Sequence, residues 1–420
     1  MGTSSLQTLA LAWRNLWRRR RRTLITMSTI AIGFALAVLS IGIGDGGHNG
    51  MIRNAIRLGD GHLTIQPRGY LEAPASALYL PDGAAVGALL AQAGIPGRVA
   101  RRIALQLLAS TASNAIGVGL MGIDPVADPL RGSLGERIVE GKWIERGDAR
   151  GIAIGQDLAR KLKARIGSKV VLMAGGGDGD VISQLGKVRG IFRSGIDELD
   201  GYVVAADTSF ARHFLVAEGA DPARQPLTRF AVFLNDPDTL PAWKARLQTL
   251  ALPPPAIVLD WQEMMPQLVM FILLDDAGNY IWLLFIMIMV AFGILNTILM
   301  SVLERTREFG LLRALGISRW ALVRLVFTEA VLLAIVSMLA GWVLGGVVHW
   351  YFAVYGLDLS SWSQDMLQTS GAMMDPVLKS ELSWGRIGAL SAIVFGTTVL
   401  TGIYPALRAG TVPPVAALQT

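Results

Sequence analysis

Residues 304–318 read ERTREFGLLRALGIS, a charged stretch between two long uncharged runs, and the rest of the chain is organised around it. Glu304, Arg305, Arg307, Glu308 and Arg313 alternate with Phe309, Leu311, Leu312, Ala314 and Leu315 at the spacing of a short amphipathic helix. Gly316 predicts its end, because glycine accepts the left-handed backbone just past a helix, and Ser318 can cap the helix that follows. By charge pattern alone this corner is either a solvated loop between two membrane spans or a working surface.

Working outward, the chain is 52% hydrophobic and 17% charged, too apolar for an ordinary soluble protein, which points to a membrane class. Four stretches without Asp, Glu, Lys or Arg, 23–44, 277–303, 330–357 and 387–407, each reach the roughly 20 apolar residues that a helix needs to cross a bilayer. The third helix is expected to start earlier, giving a span of 321–357. Arginines gather beside these spans: Arg14 and Arg18 to Arg22 before the first, Arg305, Arg307, Arg313, Arg319 and Arg324 between the second and third, Arg408 after the fourth. The positive-inside rule then places both termini and the charged segment 304–320 in the cytoplasm, and the large segment 45–276 outside with the short loop 358–386. The net charge of +6 therefore speaks to orientation, not to nucleic acid.

Residues 1–22 form an expected amphipathic cytoplasmic helix, with Leu6, Leu9, Ala10, Trp13, Leu16 and Trp17 on one face, suited to lie in the inner leaflet as an anchor. Gly33 with Ala37, and Gly341 with Gly345, stand four apart, as close helix packing requires. In the outer segment, strand-like 61–67, 230–234 and 257–259 with a helix from about Asp236 to Leu250 suggest a β-α-β base beside the membrane. Between them, short apolar runs punctuated by glycines over 117–204 suggest an inserted, mostly β subdomain with one helix at 156–163. The fold class is thus an α-helical membrane protein with four transmembrane helices and a large α+β extracytoplasmic domain. The second span is expected to project beyond the membrane as a rigid lever, and residues 408–420 form a cytoplasmic tail.

Chemistry is sparse. There are no cysteines, hence no disulfides or thiolate sites. A GxGxxG match at Gly42, Gly44 and Gly47 follows an apolar span rather than a strand, GGGDGD at 175–180 suits a hairpin turn, and no GxxxxGK[ST] occurs. His48, His62, His213 and His349 show no ligand spacing, and no GxSxG marks a nucleophile, so neither catalytic nor metal-binding residues are expected. Glu329, a carboxylate within the third span, is a functional candidate that could equally reach back to Arg324 or the interface. Met264, Met265, Met270 and Phe271 either fill a core or line an adaptable apolar entry for substrate.

The run ERTREFGLLRALGISRWALVRLVFTEAVLLAIVSMLAGWVLGG (304–346) resembles the hallmark region of the FtsX-like permeases of ABC systems. YPALRAGTVPPVAAL (404–418) is similar to that family's closing pattern, and IAIGQDLARKL, GKVRGIF and AWRNLWRRRRRTLIT are similar phrases elsewhere. The resemblance implies half of a dimeric transmembrane unit, paired with a second copy or a paralogue. It implies a separate ABC ATPase dimer carrying ATP and Mg, so that this chain is no enzyme and binds no cofactor itself. That ATPase would dock on Glu304, Arg305, Arg307, Glu308, Gly310, Arg313, Ala314 and Gly316. The length of the outer segment favours a LolC/LolE-like or MacB-like arrangement in a bacterial inner membrane, although the first span and its exit depart from the LolC/LolE pattern. The expected function is mechanical extraction or export of a hydrophobic or lipidated substrate on the periplasmic side, with a periplasmic carrier or adaptor as a further partner. The alternative is mechanotransmission to an efflux assembly or a periplasmic hydrolase without movement of lipid. A receptor or anchor with no ATPase is a third class.

Overall fold

The structure, a computed structural model, describes residues 5–18, 20–175, 181–215, 222–358 and 377–411. The chain forms two compact units, one of Met1–Asn49, Phe271–Ser360 and Pro376–Thr420, the other of Gly50–Met270 and Ser361–Asp375. In chain order, α1 (Ser5–Arg18) and α2 (Arg20–Leu58) come first. Then follow β1 (Leu63–Pro67), α3 (Gly83–Ala93), β2 (Gly97–Ser110), β3 (Ala115–Ile123), α4 (Leu130–Leu134), β4 (Ile138–Gly141), β5 (Gly151–Gly155) and α5 (Gln156–Leu162). Next are β6 (Lys169–Gly175), β7 (Val181–Phe192), α6 (Asp197–Tyr202), β8 (Val203–Asp207), α7 (Thr208–Arg212), β9 (Arg229–Leu234), α8 (Leu240–Gln248), β10 (Ala256–Asp260) and α9 (Trp261–Met264). The chain closes with α10 (Pro266–Glu304), α11 (Thr306–Ala314), α12 (Arg319–Val354), the short strands β11 (Leu357–Asp358) and β12 (Val377–Leu378), and α13 (Trp384–Gly410).

Four helices, α2, α10, α12 and α13, are long and apolar enough to cross a membrane. α2, α10 and α13 run beyond the uncharged stretches at both ends, whereas α12 starts before its stretch but ends at Val354, short of the expected 357, where β11 begins. At 1.5 Å per residue the 39 residues of α10 extend roughly 58 Å, about twice a hydrocarbon core. The absence of charge marks the lipid-facing part, whereas a helix continues for as long as its backbone bonds and side chains find partners. In α2 the helix accordingly passes through Gly42, Gly44, Asp45, Gly47 and His48. At the corner α10 ends at Glu304, Arg305 is the N-cap of α11, and Gly316 follows the end of α11 with φ +91°, in the left-handed region expected of it.

Within the helical unit, small residues set the spacing. A Cβ on Gly33 would come within 2.8 Å of Val290, so α2 lies against α10 there. A Cβ on Gly341 would stand 3.0 Å from Phe34, and one on Gly345 3.3 Å from the Ala35 Cα, so α12 lies against another side of α2. Gly402 of α13 faces Ala330 of α12 in the same way, at 2.6 Å. Phe34, Val290, Ile294, Val326, Ala330 and Val394 form the core between these helices.

The strand-rich unit is built on one ten-stranded sheet, in the order β10-β1-β9-β2-β3-β8-β5-β7-β4, with β6 bridging β2 and β7. The strands expected in the membrane-proximal base are neighbours here: β1 pairs antiparallel with both β10 and β9. The long strand β2 changes partner midway. Gly97–Arg102 pair with β9 and Ile103–Ser110 with β3. From Ala100 onward buried and more exposed positions mostly alternate along β2, the period-2 signature of a strand with one covered face. β6 and β7 pair in register from Lys169↔Lys187 to Gly175↔Val181, and the Gly-Asp residues 176–180 between them lie outside the described residues. The expected helices are α5 and α8, the latter following a short 3-10 turn capped by Asp236.

Candidate functional site

The charged corner closes into a network whose partners come from both ends of the helical unit. Arg305, at the junction of α10 and α11, donates from Nη1 to both oxygens of Glu329 on α12, at 3.2 and 3.3 Å. Asn15 of α1 donates to the same carboxylate at 2.7 Å. Glu329 therefore turns to Arg305 and Asn15, and not to Arg324. Glu308 of α11 accepts from Arg305 Nε at 3.1 Å and from Arg18 at 3.0 Å, and Glu304 accepts from Arg22 at 3.1 Å. The Arg305 guanidinium also lies over the Phe309 ring, 5.0 Å from its centre. Burial acts to raise the Glu308 carboxyl, but Arg305 and Arg18 outweigh it and hold it below the usual carboxylate range.

These contacts differ in weight. Arg18–Glu308 is largely exposed and contributes at most about 1 kcal/mol. Arg305–Glu329 is mostly withdrawn from solvent, with side chains 13% and 15% exposed, so loss of either partner leaves a poorly solvated charge. The network encloses a cavity of about 120 Å³, walled by Thr26, Thr297 and Ser301 on its polar side and by Val302, Val326 and Leu333 on its apolar side. The corner thus ties α1, α10, α11 and α12 together through ion pairs and the Asn15–Glu329 hydrogen bond.

The remaining residues expected to couple fall in two groups. Gly310 is buried, whereas Arg307, Ala314 and Gly316 are exposed and Arg313 is half-buried; beside them, outside that set, Phe309 is buried and Leu311 and Leu315 are exposed. Leu315 is 75% exposed and Leu311 52%, and Trp320 beyond them is 68% exposed, an apolar edge that a solvated loop has no use for. Met264 and Met265 lie half-buried at the α9–α10 junction, while Met270 and Phe271 are exposed on the first turns of α10. Tyr404 to Gly410 belong to α13 and Thr411 caps it, and the closing motif from residue 412 on, including Pro414, Val415, Ala417 and Leu418, lies outside the described residues. Among the described residues no cluster of His, Asp and Glu has the makings of a metal site.

Residues far apart in sequence form a second network in the same unit. His48 of α2 bonds Asp275 of α10 at 2.9 Å, and Arg386 of α13 bonds Asp276 at 3.1 Å while also pairing with Asp45 of α2. Asn49 donates to Glu381 at 2.7 Å, and Ser40 to Asn279 at 3.2 Å. Sequence reasoning missed Asn15, Arg22 and this whole second network. The one signal it had was polar residues recurring at the ends of otherwise apolar helices, which says that partners exist but not which.

Comparison with known proteins places the chain in a family. Residues 280–414, which carry the corner, match the FtsX-like permease C-terminal model, and residues 23–250 match the MacB-like periplasmic core domain model. The chain belongs to the FtsX-like permeases of ABC systems, of the kind that carry a MacB-like periplasmic core domain. Among its relatives, the lipoprotein-releasing system transmembrane protein LolC of Neisseria meningitidis is 23% identical over 320 residues, 75% of this chain and 76% of that one. The corresponding LolE of Haemophilus influenzae is 22% identical over 316 residues, 72% of each. The periplasmic region of MacB from Actinobacillus actinomycetemcomitans aligns with 49% of this chain and 91% of its own, at 10% identity and a TM-score of 0.33.

Proposed function

We propose that this chain is the transmembrane subunit of an ATP-driven complex in a bacterial inner membrane, and that it mechanically extracts a lipidated or otherwise hydrophobic substrate at the periplasmic face. The observation that carries this reading is the corner. An amphipathic helix, α11, presents an exposed apolar edge with Arg307, and Arg305, Glu308 and Glu329 tie it to the spans. A separate ATPase dimer docks on that edge, holding the ATP and Mg, and its closure pushes α11. Both termini and the corner are cytoplasmic in this reading, as the arginine distribution requires. The transmembrane unit is completed by a second permease, a copy or a paralogue. Similarity to LolC and LolE supports release of lipoproteins as the task, with a periplasmic carrier as acceptor. Glu329, the carboxylate within the third span, is tied to Arg305 and Asn15, which supports movement by mechanical displacement over passage through a polar pore.

The MacB-like core domain favours one second reading, in which the same stroke drives an efflux assembly or a periplasmic hydrolase. Purification of the complex from its native membrane separates the two. An ABC ATPase together with an acylated protein is the expected result. A co-eluting hydrolase or efflux adaptor in place of acylated protein selects the second reading, and the absence of any ATPase refutes both.

A further inference from the structure

Two turns join the strand-rich unit to long helices, and they are fastened in opposite ways. After α2, the turn at Gly59–Asp60 is seized by two arginines of the sheet. Arg102 of β2 is fully buried; it donates from Nε and Nη2 to the two oxygens of Asp128 at 2.9 and 2.7 Å, and from Nη1 to the Gly59 carbonyl. Arg229 of β9 pairs with the Asp60 carboxylate and lies over the Tyr70 ring, 5.1 Å from its centre. Asp60 Oδ1 stands 3.8 Å from Arg102, so both cations bear on one turn. Thr64 donates to the Asp60 carbonyl at 2.9 Å, and Arg57, in the last turn of α2, donates to Ser133 at 2.9 Å. Shifting this turn would strip Arg229 of its counter-charge Asp60 and the buried Arg102 of the Gly59 carbonyl, which a low-dielectric interior strongly resists.

Before α10, the fastening is lighter and more open to solvent. Asp260 caps α9 by accepting from the Glu263 N–H at 2.9 Å, and Lys244 bonds Asp260 and Glu263, each at 2.8 Å, with Glu263 46% exposed. Directly after it, Met265 leaves the helical region, at φ −130° and ψ 62°, and Pro266 has no N–H to offer. Met265 is held by one backbone bond on each side of the step, its N–H to the Trp261 carbonyl at 3.0 Å and its carbonyl from the Val269 N–H at 3.2 Å, and Pro266 adds none.

We infer that the Gly59–Asp60 turn is a weld and the Met265–Pro266 step a hinge, so that the sheet follows the end of α2 and swivels on the start of α10. Arg102 and Arg229 are positioning residues: they act through Asp60 and Gly59, not on substrate. The inference rests on the reading of the chain as a nucleotide-driven permease. It gives Met264 and Met265 a role as the soft packing around a moving joint, for which flexible thioether side chains are suited.

The absence of native cysteine makes the test direct. Spin labels at Arg53→Cys and Val99→Cys read the weld, and labels at Gln262→Cys and Ile281→Cys read the hinge, in the permease–ATPase complex in lipid nanodiscs with and without trapped ATP. The expected result is a narrow, nucleotide-independent distance for the first pair and a nucleotide-dependent shift for the second. Arg102→Met with Arg229→Met should broaden the first distance and cut substrate released per ATP at least tenfold, with ATP hydrolysis within twofold of normal. Should that variant fail to fold, Asp60→Asn, which removes one charge and keeps the shape, carries the same expectation. A nucleotide-dependent first distance, or an unmoved second one with the ATPase bound and active, overturns the inference while leaving the permease reading intact. Failure of any ATPase to associate overturns both.

Discussion

Asn15 and Glu329, separated by 314 positions in the sequence, meet at 2.7 Å, and the carboxylate they share with Arg305 is the point where α1, α11 and α12 are joined. A carboxylate within a membrane span is costly unless paired, and here it is paired twice. The pairing explains why Glu329 stands where it does: it answers the charge of Arg305 from within the third span.

Glu329→Leu should therefore lower the stability of the detergent-solubilised protein by about 1–3 kcal/mol, because the partly buried Arg305 keeps only Glu308 as counter-charge. Glu329→Gln, which retains an acceptor for Asn15, should lose less. Thermal unfolding of the three proteins checks the order; equal melting would show that the contact carries no load.

The four spans and the corner could be read from the sequence because lipid excludes unpaired charge, and soluble folds rarely run more than 20 residues without a charged side chain. The partners of the corner could not be read. Arg18 and Arg22 lie 290 and 282 positions from Glu308 and Glu304, and nothing local distinguishes them from their neighbours in the arginine run. Helix ends were also hidden, since charge marks the edge of the hydrocarbon and not the last helical bond, as Asp45 and His48 inside α2 show. Arg102 was partly legible. Period-2 alternation in a strand puts one of Arg101 and Arg102 inward, but only the fold shows that Asp128 and Gly59 wait there.

The exposed edge of α11 gives a sharper test of docking than its charges do. Leu311→Ser with Leu315→Ser should weaken retention of the ATPase at least tenfold, since burying a leucine at an interface contributes about 1.5–3 kcal/mol. Both side chains are exposed in this chain, so its folding should be unchanged. Replacement of Glu308 and Arg313 together should instead leave the permease inserted and uncouple ATP hydrolysis from transport. Affinity capture and ATPase assays separate these outcomes, and wild-type retention in the leucine variant would remove the edge from the docking surface.

His62 predicts a pH dependence of the strand-rich unit. Its Nδ1 accepts a hydrogen bond from the Leu234 N–H at 3.0 Å, and burial holds the imidazole below its usual range, so the folded state prefers it neutral. The unfolded chain binds that proton near pH 6.5, earlier than the folded one as pH falls. Stability from this residue is thus complete above about pH 6.5 and declines as the pH drops from there toward the lowered folded value. Asp124 and Asp148, held below their usual range against burial by backbone N–H groups and by Arg146 and Arg189, lose their contributions only further down, below about pH 4. Denaturation of the wild type and of His62→Gln at pH 7.5 and pH 5.5 should show a smaller pH effect in the variant; identical differences would contradict the assignment.

Packing of α12 on α2 can be tested by two glycines five residues apart in one helix. A Cβ at Gly341 would meet the Phe34 side chain at 3.0 Å and the Ala31 Cα at 3.3 Å, with little room for either to yield, whereas a Cβ at Gly346 would have nothing within 4 Å among the described residues. Gly341→Val should destabilise the helical unit by about 1–3 kcal/mol, as overpacking of a close helix contact does. Gly346→Val brings the same side chain into the same helix, so the change in helix propensity is common to both, while Gly341 is buried against α2 and Gly346 is exposed. Melting temperatures that fall for the first and hold for the second would establish that α2 and α12 are spaced by glycine. A similar fall in both would mean that the loss of glycine itself, and not the neighbouring helix, sets the cost.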